Sequence, residues 1–297
     1  GFAMLCIVYY AGADLFLVDR HVLDIAPWLA ILISLASLSV GWLLYDNLCK
    51  TRLAENQTLL MLVILPFEKE YYKNKWNWEV EYVGHPLVEE IDSKRKAGIE
   101  KKLSDKPIIA LLPGSRQQEI LKKLPVMLDV CSAFPNYQCI VAKAPGQEDA
   151  FYEELMKGYS NVSSIRGQTY DLLLQSAAAL VTSGTATLET ALFGVPEIVC
   201  YKGSSISYQI ARRVIKVKYI SLVNLIMDKP VVKELIQDEL TTDNLAKELS
   251  DLLNNTTRQQ QLQTDYTSLK ELLGKGGNAS AKAAAAVWKF LQSTHAA

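Results

Sequence analysis

The residues best suited to chemistry in this sequence fall in two short loops. One is Gly114-Ser115-Arg116; the other runs Ser183-Gly184-Thr185-Ala186-Thr187-Leu188-Glu189. Each follows an apolar run, Ile108–Leu112 or Ala177–Val181, and each leads into a stretch with helical periodicity. A strand that breaks into small polar residues and then enters a helix brings free backbone N–H groups and the positive end of a helix dipole to one point. That geometry receives phosphate. Gly184 lets the backbone come close, and Arg116 carries a planar guanidinium suited to bidentate contact with phosphate oxygens. Glu189 lies in the first turn or so of its helix, where a carboxylate can reach groups beside the phosphates, such as ribose hydroxyls. A plainer reading fits the same residues: a helix N-terminus with Ser or Thr as cap and Glu189 as the capping-box acid, and Arg116 in a surface ion pair. Two convergent loops of this kind, one with an arginine and one with a glutamate, favour a nucleotide diphosphate. His85, in Gly84-His85-Pro86, fits either a ligand contact at a domain junction or a hydrogen bond within a turn.

The elements that must position these loops alternate. Strands are expected at Ile108–Leu112, Gln138–Ala142, Val162–Ile165, Ala177–Val181 and Glu197–Tyr201. Helices are expected at about 118–134, 147–157 and 169–176 and from Leu188 onward. This is the pattern of a doubly wound α/β domain with a mostly parallel sheet. Its ligands lie outside the strand C-termini, where both loops fall. Beyond it the tail reads as helical at 204–217, 231–236, 243–253, 258–273 and 279–292, with a short extended piece, Tyr219–Asn224, directed at the same crevice. The basic 204–218 stretch, with Arg212, Arg213, Lys216 and Lys218, reads as a solvated face able to touch anionic lipid.

Upstream, Leu59–Leu65 and Glu79–Val83 read as strands around a polar helix at 68–75, and the charged stretch 92–106 reads as a linker. Residues 1–58 differ in texture. Pro27–Tyr45 carries no charge, has Trp28, Trp42 and Tyr45 at its ends, and is followed by Lys50 and Arg52. That composition fits one transmembrane helix with the basic side, and hence the rest of the chain, in the cytoplasm. A buried helix of a soluble domain is the other reading. Three regions result: a hydrophobic segment at 1–58, a short α/β piece with linker at 59–106, and the main domain at 107–297.

The chain has 297 residues, 49% of them hydrophobic, and a net charge of −1. No basic stripe suggests a nucleic-acid partner. Its five cysteines include no Cys-x-x-Cys pair, as expected of reduced thiols rather than disulfides or a zinc site. Three scattered histidines do not make a metal cluster. The chain starts at Gly1 without a signal-peptide pattern, and reads as a fragment.

From about Leu60 to Leu291 the sequence resembles the lipid-A-disaccharide synthase family, bacterial glycosyltransferases of the two-domain GT-B architecture. The pieces that carry the resemblance are Leu62–Glu68 (LVILPFE), Tyr82–Pro86 (YVGHP), Leu112–Ile120 (LPGSRQQEI), Thr182–Glu189 (TSGTATLE) and Tyr219–Leu235 (YISLVNLIMDKPVVKEL). Their order along the chain makes the resemblance specific. It implies transfer of a sugar from UDP-2,3-diacylglucosamine to 2,3-diacylglucosamine 1-phosphate, with release of UDP, inversion at the anomeric carbon, and neither a cofactor nor an obligatory metal. By motif match, Gly114, Ser115, Arg116, Ser183, Gly184, Thr185 and Thr187 would hold the diphosphate and Glu189 the ribose. Gly167 and Gln168 would border the uracil, and Tyr201, Lys202 and Asn224 would complete the crevice. His85 would lie between the domains. The resemblance also implies the cytoplasmic face of the bacterial inner membrane, contact with its lipid, and room for a homodimer. It leaves most of the N-terminal Rossmann-like domain unmatched, so no general base is named. A non-catalytic, membrane-tethered nucleotide-sugar-binding protein stays open, as does another GT-B enzyme such as a UDP-N-acetylglucosamine epimerase.

Overall fold

The computed structural model describes residues 60–203, 218–275 and 277–295. The expected membrane span at 27–45 and the expected basic helix at 204–217 lie outside these residues. Among the described residues no helix is long and apolar enough to cross a membrane.

The described chain opens with β1 (Leu62–Val63), α1 (Glu68–Trp76) and β2 (Glu81–Tyr82), the two strands pairing in parallel as a separate small sheet. Then comes α2 (Pro86–Ala97), which has His85 as its N-cap and Pro86 in its first turn. The charge-rich stretch expected to be linker from residue 92 is therefore helical as far as Ala97, because one face of α2 is apolar and buries Ile91. That helix is stitched to later parts of the chain. Arg95 donates to the Leu192 carbonyl at 3.2 Å, Lys94 pairs with Asp171 at 3.0 Å, and Asp92 pairs with Lys270. Glu89 accepts the Ala279 N–H.

The main sheet has β3 (Ile108–Leu112), β4 (Gln138–Lys143), β5 (Val162–Arg166), β6 (Ser176–Thr182), β7 (Glu197–Tyr201) and β8 (Lys233–Ile236). The order is β5-β4-β3-β6-β7-β8, and every pair is parallel. Every residue of β3 is buried, as are Ala178–Thr182 of β6; unbroken apolar runs form the centre of such a sheet because helices cover both faces. Those helices include α3 (Gln117–Cys131), α4 (Asp149–Met156), α5 (Thr169–Leu174) and α6 (Thr185–Leu192). On α3 the side chains of Ile120, Leu124, Met127, Leu128 and Cys131 form the buried face, the stripe expected of a helix laid on a sheet.

The chain builds outward from β3 through β4 to β5, crosses back to β6 beside β3, and then builds the other way. Strand order thus reverses between β3 and β6. In open α/β sheets ligands bind at such a switch point, outside the C-terminal ends of the strands.

The last part of the chain differs from the sequence expectation in two places. The piece 219–224, expected to be extended, enters a helix, α7 (Leu222–Met227), whose first turn is capped by the Ser221 hydroxyl accepting from Asn224 N–H at 3.2 Å. Residues 231–236, expected to be helical, instead supply β8. Val232 and Leu235 are buried and the strand pairs with β7 from Ile198↔Lys233 to Tyr201↔Ile236. Pairing to an open sheet edge outweighs the weak helical pattern. The tail then follows as α8 (Thr242–Asn254), α9 (Thr256–Gly274) and α10 (Ala279–His295).

Candidate active site

The loops that follow β3 and β6 stand on either side of the switch point. In the first, Gly114 adopts φ +109°, and a Cβ there would sit 2.8 Å from the Glu119 carboxylate. Only glycine makes this turn without strain. Arg116 is the N-cap residue of α3 and offers no side-chain cap. Its side chain is 79% exposed, with one weak ion pair to Glu119 at 3.7 Å, so the guanidinium is available at this end of the sheet. Behind it Lys123 is almost completely buried, its Nζ 3.8 Å from Glu119, and burial lowers its pKa.

In the second loop, Gly184 is the N-cap of α6 at φ +152° and no side chain caps the helix. The capping-box reading is thus not the one adopted. Thr187 is buried and donates its hydroxyl to the Gly184 carbonyl at 2.8 Å, which leaves the exposed Gly184 and Thr185 at the helix start. Ser183 is half-buried and donates to the Ile220 carbonyl at 2.9 Å, which ties this loop to the segment before α7. Glu189 lies one turn further on. Burial raises the pKa of its carboxyl, and it lies close enough to Tyr170 to help push that phenol up to about 12, an effect due first to burial and then to Glu189 and Glu90.

Gly167, at φ +70°, and Gln168 are exposed at the end of β5, immediately before α5 and Tyr170. Tyr201 ends β7, and Lys202 follows it, half-buried. The parallel register aligns Thr182 with Cys200 and Tyr201 with Ile236, so all these candidates gather along one end of the sheet.

Two candidates have other duties. Asn224 is buried, and its carboxamide is committed internally. It accepts from Val232 N–H at 2.8 Å and donates to the Val232 carbonyl at 2.8 Å and to Glu234 at 2.9 Å. Glu234 also accepts from Ile220 N–H and from Ser221 N–H, the latter at 2.9 Å. Asn224 therefore holds the 219–234 segment, which in turn carries the Ile220 carbonyl that binds Ser183. His85 is buried and caps α2, its Nδ1 accepting from Leu87 N–H at 3.3 Å; burial lowers its pKa, against a smaller opposing effect of Glu68. Glu68 itself accepts from Leu65 N–H at 2.9 Å, and the Leu62–Glu68 and Tyr82–Pro86 motifs meet where Val63 pairs with Tyr82 and accepts from Val83 N–H at 3.1 Å.

Sequence reasoning missed the supports of the first loop. Arg166 donates to the carbonyls of Ala144 (3.0 Å) and Gln147 (2.6 Å) and to Asp149 (2.7 Å). Hydrogen bonds from Lys143 and Arg166 hold the Asp149 carboxyl down at about 2. Gln147, fixed in this way, donates to the Ser115 carbonyl at 3.2 Å. It also missed Glu234. A lone acid in an expected helix gives no sign that three donors converge on it.

A doubly wound parallel sheet, with a glycine turn, an exposed arginine and an uncapped helix N-terminus at its switch point, is the architecture of a Rossmann-like domain of the GT-B class. The calicheamicin glycosyltransferase CalG4 shares this fold, with a TM-score of 0.53 at 15% identity, over 98% of this chain and 66% of that one. So does a putative UDP-N-acetylglucosamine 2-epimerase from Listeria monocytogenes, at TM-score 0.51 and 14% identity, over 74% of this chain and 57% of that one. Within that class the chain belongs to the lipid-A-disaccharide synthetase family, whose model matches residues 48–288. The lipid-A-disaccharide synthase of Syntrophus aciditrophicus is 38% identical over 240 residues, which is 76% of this chain and 62% of that protein. That of Nitrosococcus oceani is 36% identical, over 73% of this chain and 58% of that protein. The chain thus matches about three-fifths of the length of these curated relatives. A second family model, urate oxidase N-terminal, matches residues 1–72, most of which lie outside the described residues.

Proposed function

We propose that this chain provides the donor half of a lipid-A-disaccharide synthase-type glycosyltransferase. It would bind UDP-2,3-diacylglucosamine so that the sugar passes to 2,3-diacylglucosamine 1-phosphate and UDP leaves. The observation that carries this reading is the pairing of the Gly114–Arg116 turn with the uncapped start of α6 on the two strands that flank the switch point. Charge builds on the diphosphate as the glycosidic bond breaks. The N–H groups at residues 184–185 are donors held by the backbone before that charge develops, and the exposed Arg116 guanidinium would close on the diphosphate beside them, the arrangement that stabilises a leaving anion. Gly114, Ser115, Ser183 and Thr187 shape the cradle. Glu189 would take the ribose hydroxyls, with Gly167, Gln168 and the Tyr170 ring beside the uracil. Lys202 and Tyr201 would face the glycosyl side, and Asn224 would act through the segment it holds. Cytoplasmic, membrane-side placement with contact to inner-membrane lipid, and a homodimer, belong to the same proposal. So does the division into 1–58, 59–106 and 107–297.

Titration calorimetry with UDP tests the donor site. Arg116→Ala and Glu189→Ala should each weaken binding by about 1–3 kcal/mol, the scale of a hydrogen bond involving a charged group, with unchanged far-UV circular dichroism. Wild-type affinity in both variants would remove the basis of the assignment.

A second reading has one observation in its favour. The described residues hold only two short strands, β1 and β2, ahead of the donor domain. On that reading the chain is a nucleotide-sugar-binding protein that does no transfer by itself. An epimerase is the weaker alternative, because the likeness to one rests on fold alone while the relatives that share sequence are synthases.

A further inference from the structure

Three non-glycine residues among those described have positive φ: Asn77, Asp228 and Gln237. The first two end helices as left-handed C-caps, and asparagine and aspartate tolerate that conformation well. Gln237, at φ +53°, belongs to neither favoured type and ends no helix; it begins a short 3-10 turn directly after β8. A second local conflict falls on the same side chain. Its Nε2 is shielded from solvent and has no acceptor, which carries a desolvation cost. Its Oε1 does have a partner, the Gly203 N–H, at 3.2 Å. A Cβ on Gly203 would stand 3.2 Å from the Tyr201 hydroxyl and in ordinary contact, 3.6 Å, with Gln237 Nε2, so Gly203, the Tyr201 ring and the Gln237 carboxamide pack closely together.

Position gives the strain a meaning. The register pairs Tyr201 with Ile236, which sets Gln237 level with Lys202 at the C-terminal end of the sheet. From β6 to β8 is two strand spacings, roughly 10 Å. That is too far for Gln237 to serve a diphosphate seated on the 183–187 loop, and it is the side, that of Tyr201 and Lys202, to which the donor-site reading above assigns the glycosyl group. Strain and an unsatisfied donor persist where the surrounding structure has a use for the conformation.

We infer that Gln237 is a positioning residue: by clamping Gly203 it fixes the Tyr201-Lys202-Gly203 turn against the glycosyl group of a bound nucleotide sugar. The inference rests on the donor-site reading above and specifies its sugar side. The test is calorimetric titration of the full chain, in detergent, with UDP and with UDP-2,3-diacylglucosamine, alongside thermal unfolding. Gln237→Asn suits the left-handed backbone but is too short to reach Gly203. It should melt no lower than wild type and bind UDP within about twofold, yet lose about five- to tenfold of the extra affinity conferred by the glycosyl group, the worth of one hydrogen bond. Gln237→Glu retains an acceptor oxygen for Gly203 and should keep most of that gain. A Gln237→Asn protein with the full glycosyl gain overturns the inference, as does one that loses stability and affinity for both ligands together. Wild type that binds UDP but gains nothing from the glycosyl group also overturns it, while leaving the donor site standing. Wild type that fails to bind UDP overturns the donor-site reading and this inference with it.

Discussion

Glu197 is the first residue of β7 and is completely buried, and neither of its carboxylate oxygens has a hydrogen-bond partner. A bare carboxylate in such a place is costly, and burial raises its pKa well above the ordinary value. The buried Tyr266 phenol beside it is pushed up as well, first by burial and then by Glu197. The consequence for stability has a definite sign. In the unfolded chain the carboxyl loses its proton near pH 4, while in the folded protein it keeps the proton to higher pH. The folded state then binds more protons, so stability is greatest below the unfolded pKa and falls as pH rises through the folded one. Glu197→Met should therefore stabilise the protein by about 1–3 kcal/mol at pH 8, the penalty of an unsatisfied buried polar group, and by less at pH 5. Urea unfolding of both proteins at the two pH values measures this. Equal effects at pH 5 and pH 8 would show that the folded protein holds no extra proton on this carboxyl over that range, so that burial does not raise it.

At the scale of elements, the proposed donor site depends on how a strand hands over to a helix. Gly114 shows the two requirements separately. Its φ of +109° strains any other residue on backbone grounds, and a Cβ there would also force the Glu119 carboxylate to move. Gly114→Ala should cost about 1–3 kcal/mol of stability, the range for a residue forced into a sparsely populated conformation, and should weaken UDP binding. Adding Glu119→Ala removes only the contact part, since the carboxylate is the far end of a flexible side chain. The double variant should recover less than half of the stability loss in thermal unfolding, and full recovery would mean that the backbone conformation carries no strain. The second loop is fixed differently. Its helix start is left open, and its position comes from Ser183 bonded to Ile220, a residue held by Glu234 and, through it, by Asn224.

At the scale of the whole molecule, transfer between two lipidic sugars needs a donor site, an acceptor site and a base that face one another. Holding reactants in register supplies much of such a rate enhancement, and general-base assistance typically adds about 10²–10⁴-fold. On the reading proposed above, the described residues supply the donor side. The expected outcome for purified 1–297 protein in detergent, given UDP-2,3-diacylglucosamine and labelled acceptor, is UDP binding without disaccharide above an Arg116→Ala control. Disaccharide above that control would show that the chain contains an acceptor wall and base beyond the features identified in the described residues.

The sequence alone determined the parallel core, because strands covered on both faces must be apolar throughout, and Ile108–Leu112 and Ala177–Val181 are. It also placed the two candidate loops at strand–helix junctions, because glycine, small hydroxyl residues and an arginine between a strand and a helix are local chemistry, legible without the fold. The tertiary structure decided what depends on partners remote in sequence. Residues 233–236 become a strand only because β7 offers an edge. Glu234 becomes a hub only when Ile220, Ser221 and Asn224 are folded over it. Asn224 turns inward for the same reason, and Gln237 is strained only because Gly203, 34 residues earlier, is brought against it. Local sequence specifies which backbone states are cheap; the edge pairing and packing that overrule it exist only once the chain has closed on itself.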